Sequence, residues 1–136
     1  MTQPRPPITC HILDTLTGLP AANIPVHLTL LSPSSPSGAA ITFQQSTNND
    51  GRIGGWENPD PSHPTLQSVF ENMGGEMMWV CRFETRNYFE QKGIQPFFPE
   101  VEIRFLTEGF SGGDAAKHWH VPLLLGPYSY TTYRGS

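Results

Sequence analysis

The chain is short of charge. Lys and Arg together number 8 and Asp and Glu 12, the charged residues make up 15% of the chain, and the formal net charge is -4. No run of basic residues could follow a phosphate backbone, which argues against nucleic acid as a partner. Long apolar runs are missing as well. No segment approaches the roughly 20 apolar residues that span a bilayer, and the opening MTQPRPPITCHIL lacks the apolar stretch of a secretory signal. A membrane partner is therefore not expected, and the protein reads as soluble and intracellular. The chain does not end in an SKL-type address, so the cytoplasm is the expected compartment and the peroxisome the alternative. Cysteine is scarce too: Cys10 and Cys81 are the only 2. Each sits in an apolar, strand-like run, and two residues build no disulfide framework, so both read as reduced core thiols, with pairing or metal binding the minority view.

What is present is alternation. A length of 136 residues suits one domain, 1–136, able to bury a core without staples, with residues 1–6 expected to form a flexible tail. In ITCHILDT, Ile8, Cys10 and Ile12 share one face and Thr9, His11 and Leu13 the other, which predicts a half-buried strand with His11 turned from the core. Gly18 and Pro20 mark a turn, and IPVHLTLL repeats the pattern with Val26, Leu28 and Leu30. His27 falls on the opposite, wet face and reads as a surface histidine. SPSSPSG, residues 32–38, reads as an exposed loop. ITFQQSTNNDGRIGG predicts two short strands around a turn at Asn49, Asp50 and Gly51, with Arg52 directly after it.

The rhythm breaks at SHPTLQSVFENMGG. Leu66, Val69, Phe70 and Met73 recur at helical spacing, Ser62 can cap, Pro64 suits a first turn, and Gly74 and Gly75 stop a short helix. EMMWVCRFET returns to strand with Met77, Trp79, Cys81 and Phe83 on one face; TRNYFEQKG is helix-sized and ends in Gly93. FFPEVEIRFL and HWHVPLLL alternate again, the second placing Trp119, Val121, Leu123 and Leu125 on one face and His118 with His120 on the other. No internal repeat is visible. Several short strands with one or two short helices predict a mostly β protein, most simply a β-sandwich.

The core does not account for His118 and His120. A polar outer face that happens to carry imidazoles is one explanation. A second is zinc, with His11 as third ligand, although a site needs further ligands and second-shell support. A third is metal-free hydrolysis: one neutral imidazole takes a proton from water, a second group orients substrate, and a guanidinium stabilises charge developing on a carbonyl oxygen. His120, His11 and Arg52 would suffice for it. Spacing alone leaves the three readings open.

CHILDTLTGLPA, DGRI, FFPEVEIRF and HWHVPLLLGPYSYTTYRGS resemble, in that order, the signature blocks of the 5-hydroxyisourate hydrolases, the transthyretin-like proteins of purine breakdown. The resemblance spans nearly the whole chain, and the closing YRGS is its most specific part. It implies a transthyretin-like β-sandwich of seven or eight strands, with TRNYFEQKG as its short helix, assembled as a homotetramer whose sites lie between dimers. It further implies hydrolytic opening of 5-hydroxyisourate to 2-oxo-4-hydroxy-4-carboxy-5-ureidoimidazoline, without a cofactor or metal. By motif, His11, Arg52 and His120 are implied as catalytic residues, with His120 the water-activating base beside His11. Tyr133 and Ser136 join His11 and Arg52 in substrate contact, and His118 and Arg134 support them. Transthyretin, the hormone carrier of the same fold, lacks the catalytic histidines, the arginine and the YRGS ending; a non-catalytic binding module and a zinc-dependent hydrolase are the alternatives. The sequence departs from the compact members in the longer SPSSPSG and SHPTLQSVFENMGG stretches and in HWH for the commoner HYH. Trp119 faces the predicted core, so that exchange is expected to leave the chemistry alone.

Overall fold

A computed structural model describes residues 5–35, 38–115 and 117–136. The expected N-terminal tail falls outside it for residues 1–4, as do residues 36 and 37 of the expected loop. The described elements are β1 (Ile8–Asp14), β2 (Leu19–Pro20), β3 (Pro25–Ser32), β4 (Thr42–Ser46), β5 (Arg52–Ile53), α1 (Leu66–Asn72), β6 (Glu76–Phe83), α2 (Arg86–Glu90), β7 (Val101–Glu108), β8 (Trp119–Leu125) and β9 (Tyr130–Thr132). One sheet runs β2-β1-β8-β9 with β5 also on β1, and the other runs β4-β3-β6-β7. With β2 and β5 only two residues long, seven longer strands remain, and the predicted sandwich with two short helices is what forms.

The alternation read from the sequence decides which side of each strand is inside. Ile8, Cys10 and Ile12 of β1, Val26, Leu28 and Leu30 of β3, Met77, Trp79, Cys81 and Phe83 of β6, and Trp119, Val121, Leu123 and Leu125 of β8 are all buried. Cys10 and Cys81 are free thiols in this interior, each pushed to a higher pKa by burial, Cys81 to about 12. Thiols held protonated in an apolar core are inert. His27 lies on the outer face of the second sheet, 2.7 Å from Glu84, and so on a different sheet from His11 and His120.

The two short strands expected around the Asn49–Gly51 turn form as β4 and β5. The strands flanking the Asn49–Gly51 turn do not pair with each other: β4 pairs with β3, whereas β5 crosses to the other sheet and pairs with β1. The turn itself forms, with Asn48 Oδ1 accepting from the Asp50 and Arg52 backbone N–H groups at 2.9 and 3.0 Å. It packs on β1, where the Ile12 N–H donates to the Gly51 carbonyl at 2.8 Å. A Cβ at Gly51 would stand 2.5 Å from the Ile12 oxygen, and its φ of +70° is left-handed, so glycine is required twice over. One expectation needs correction, at the start of α1. Thr65, not Ser62, is the cap, its hydroxyl accepting from the Ser68 N–H at 3.1 Å. Ser62 is instead held by the Asp60 carboxylate, which accepts from its N–H at 2.9 Å and from its hydroxyl at 2.7 Å.

Through α1 the long stretch between the sheets becomes part of the core. Leu66, Val69 and Phe70 are buried, and the Phe70 ring lies 5.8 Å from Trp79, 5.6 Å from Trp119 and 5.2 Å from Phe110. The aromatic cluster ties the insertion to the strand that carries His120. Phe70→Ala should therefore cost about 3–5 kcal/mol, read as a lower urea midpoint. A loss below about 1 kcal/mol would mean that α1 is not a structural part of the sandwich.

Candidate active site

The site grows from the parallel pairing of β1 with β8. Ile8, Cys10 and Ile12 stand opposite Trp119, Val121 and Leu123, and all six are buried. The inward alternation of the two strands is thus in phase, so the residues between turn outward together: Thr9 opposite His120, and His11 opposite Pro122. On its other edge β1 receives β5, which sets Arg52 directly across from His11. Three pieces far apart in sequence meet here because one strand, β1, is central to both pairings.

The imidazoles are in contact. His11 Nδ1 and His120 Nε2 are 2.7 Å apart, with ring centroids at 4.9 Å and planes 22° from parallel. His120 Nδ1 is 2.7 Å from the Thr9 hydroxyl, and that same hydroxyl is 2.8 Å from His118 Nε2. His118 Nδ1 donates to the Pro6 carbonyl at 2.9 Å. A cavity of about 360 Å³ opens beside this row, lined among others by Arg5, Thr9, Arg52, His118, His120 and Ser136. His11 is not a lining residue of that cavity and joins it through His120 and its strand partner Arg52.

The sequence's closing segment folds back onto the row. β9 pairs with β8, and the Gly135 N–H donates to the His120 carbonyl at 2.8 Å. A Cβ on Gly135 would meet His120 Cδ2 at 2.7 Å and Pro122 Cγ at 2.8 Å, so only glycine lets the tail lie this close. Ser136 thereby reaches the cavity. Tyr133 does not: together with Arg134 it lines a neighbouring cavity of about 320 Å³ that shares only His120 with the first. The expected grouping of Tyr133 with Arg52 is thus absent from this single chain. Arg134 supports the row from outside, its Nη2 donating to the His118 carbonyl at 3.2 Å.

Burial and neighbouring cations keep these imidazoles neutral. His11 titrates below its ordinary value because it is desolvated and faces Arg52. His120 is pulled down to about 4, first by burial and then by His11, Arg52, His118 and Arg5. His118 is lowered by burial and by Arg5, partly opposed by its bond to the Pro6 carbonyl. Neutral imidazole beside a guanidinium is the combination that can take a proton while a developing oxyanion is stabilised.

A zinc site would need a different arrangement. Two nitrogens on one tetrahedral zinc stand about 3.3 Å apart, whereas His11 Nδ1 and His120 Nε2 share a hydrogen at 2.7 Å. Among the described residues, no group of three His, Cys, Asp or Glu side chains is placed to hold a metal ion, and no helix is long and apolar enough to cross a membrane.

Sequence reasoning named His11, Arg52, His118 and His120, and the fold brings these together. It passed over Thr9, Arg5 and the Pro6 carbonyl. For Thr9 the signal was present, since strand alternation already placed it on the outward face with His11; the carbonyl left no trace in side-chain patterns.

Residues 8–135 match the HIUase/Transthyretin family. The chain is 38% identical to a probable 5-hydroxyisourate hydrolase of Schizosaccharomyces pombe, covering 98% of this chain and 95% of that protein. It is 36% identical to a 5-hydroxyisourate hydrolase of Mus musculus, covering 96% and 95%. Among solved structures it resembles the 5-hydroxyisourate hydrolase of Klebsiella pneumoniae, with a TM-score of 0.63, 28% identity, and 95% and 98% of the two chains covered. It also resembles transthyretin from Sparus aurata, with a TM-score of 0.70, 25% identity, and 96% and 97% covered. With the match running from the first residue of β1 into the folded-back tail, the chain belongs to the HIUase/Transthyretin family.

Proposed function

We propose that the protein hydrolyses 5-hydroxyisourate to 2-oxo-4-hydroxy-4-carboxy-5-ureidoimidazoline. The observation that carries the reading is the neutral His11–His120 pair, 2.7 Å apart, with Arg52 across the strand from His11. Relatives named for this activity, similar over nearly their whole length, supply the substrate. One imidazole of the pair takes a proton from water as the water oxygen bonds to the ring carbonyl carbon. Arg52 balances the negative charge on the carbonyl oxygen of the tetrahedral intermediate. The carbon–nitrogen bond then breaks, the leaving nitrogen receives the proton back, and the carboxylic acid that remains releases its own proton to water as a carboxylate. The reaction needs no cofactor.

His118 steadies the row, and Ser136 is a substrate contact brought in by the tail. Assembly as a homotetramer with sites between dimers belongs to the same proposal. It is supported by the exposed Leu16, Leu19, Phe97, Tyr128 and Tyr133, an apolar population that a partner would cover. In that assembly Tyr133, which a single chain leaves outside the cavity, acts on substrate from a subunit boundary. Cytoplasmic residence, with the peroxisome as the alternative, completes the reading.

The direct test is the ultraviolet decay of freshly generated 5-hydroxyisourate, after EDTA treatment of the protein. Wild type should accelerate it, and His11→Ala and His120→Ala should each lose at least about 100-fold; wild-type rates in either variant would refute the paired-imidazole mechanism. The pH profile carries a sign. A base works only when neutral, and both imidazoles are lowered from 6.5, so activity should persist below pH 6.5 and fall on further acidification toward the His120 value of about 4. This places the acid limb lower than an unperturbed histidine would. A half-maximal point above 6.5 would contradict it. Finally, removing Tyr133 to Ser136 should abolish turnover with the far-ultraviolet β signal retained; normal turnover by the shortened chain would show that the tail has no part in the site.

A further inference from the structure

Thr9 is the one member of the row that is not an imidazole, and the proposed reaction gives it no task. Its hydroxyl lies within hydrogen-bond distance of two histidines at once, at 2.7 Å from His120 and 2.8 Å from His118. A hydroxyl has one hydrogen to give, and a neutral imidazole has one N–H and one bare nitrogen. Those two limits, together with a fixed end, determine the whole row.

The fixed end is the Pro6 carbonyl, which can only accept. His118 Nδ1 must therefore carry the hydrogen in their 2.9 Å bond. Neutral His118 is then bare at Nε2, so the Thr9 hydroxyl donates to it. Thr9 has no second hydrogen; the bond to His120 thus runs the other way, from the His120 Nδ1–H to the Thr9 oxygen. His120 is left bare at Nε2, and its 2.7 Å contact is filled by the Nδ1–H of His11. Of the ring nitrogens in the row, only His11 Nε2 is left without a hydrogen-bond partner among the described residues. The cations around the row are Arg5, Arg52 and Arg134, and they favour the neutral forms on which this count depends.

We propose that Thr9 is a positioning residue: its hydroxyl, anchored through His118 to the Pro6 carbonyl, locks the three imidazoles in one tautomeric register and leaves the reactive lone pair on His11 Nε2. His120 then acts behind His11, accepting its Nδ1–H and stabilising the imidazolium once the water proton arrives, as an orienting group does behind a catalytic histidine. Both nitrogens of His120 are occupied in this register, which revises the expectation that His120 itself takes the proton from water. The inference rests on the hydrolase reading for its kinetic consequence and on the hydrogen-bond geometry of neutral rings for the tautomers.

The test compares Thr9→Val, which keeps the shape and removes the hydroxyl, with Thr9→Ser, which keeps the hydroxyl. Nitrogen-15 NMR of labelled histidines near neutral pH reports the tautomer at each ring, and 5-hydroxyisourate decay reports kcat and KM. Wild type and Thr9→Ser should show the Nδ1–H form at all three histidines, the form free histidine disfavours, with kcat within about 3-fold of each other. Thr9→Val should leave His118 in the Nδ1–H form that Pro6 fixes, mix the tautomers of His120 and His11, and lose roughly 10- to 100-fold in kcat with KM within about 2-fold. An Nε2–H form at His118 or His120 in wild type, or a Thr9→Val protein with the tautomers and kcat unchanged, overturns the proposal. Should wild type fail to turn over the substrate, the hydrolase reading falls, and the tautomer pattern still decides the role of Thr9.

Discussion

The residue-for-residue parallel register of β1 and β8 is the constraint on which the rest depends. Because the side-chain period of a strand is two, a slip of one residue would turn Thr9 and His11 inward and put Cys10 and Ile12 outside. Ile8, Cys10 and Ile12 facing Trp119, Val121 and Leu123 prevent it, since all six are buried in the same interior. The core thus positions the site. Its six apolar side chains decide that Thr9 meets His120, and every hydrogen bond in the row depends on that meeting.

Arg52 reaches the same place by a different device. A hairpin would have kept β4 and β5 in one sheet and sent the arginine elsewhere; instead the Asn48–Gly51 turn crosses between sheets and lays β5 on β1. Gly51 makes the crossing possible by approaching the Ile12 carbonyl more closely than any side chain could. Gly135 does the same for the tail over His120. The two glycines bring backbone against β1 and β8 from opposite edges, and Gly135 lays the tail directly on His120. Desolvation is the first cause of the lowered titration of each, with the guanidinium next to His11 and His120 adding to it.

The fold was largely legible because its information is periodic. Burial at every second position of ITCHILDT, EMMWVCRFET and HWHVPLLL named the inward faces, and these faces are what the sandwich is made of. What was not legible is what alternation does not encode. Whether the strands around Asn49–Gly51 pair with each other or with distant partners depends on which edges are free, a property of the finished sheet. The choice of Thr65 over Ser62 as helix cap follows from where the helix begins, at Leu66, which leaves Ser62 in the preceding turn with Asp60. At the site, side-chain types found the histidines and the arginine, but the Pro6 carbonyl is backbone and Thr9 acts through a hydroxyl that a pattern search reads as filler.

Fold likeness cannot choose between catalysis and carriage for this chain, since a transthyretin superimposes on it at least as well as a hydrolase does. The distinction has to come from side chains on the outer face of one sheet. There a simple binding surface would have no need of three neutral imidazoles joined end to end, each bond fixing the direction of the next, beside a guanidinium. Such a row is costly, because nitrogens that lose water must find partners at hydrogen-bonding distance. Its members do so at 2.7 to 2.9 Å, through one hydroxyl and one carbonyl. A row that is polar, neutral and directional can take a proton at its free end and stabilise the resulting charge from behind, and that property belongs to an acid–base catalyst.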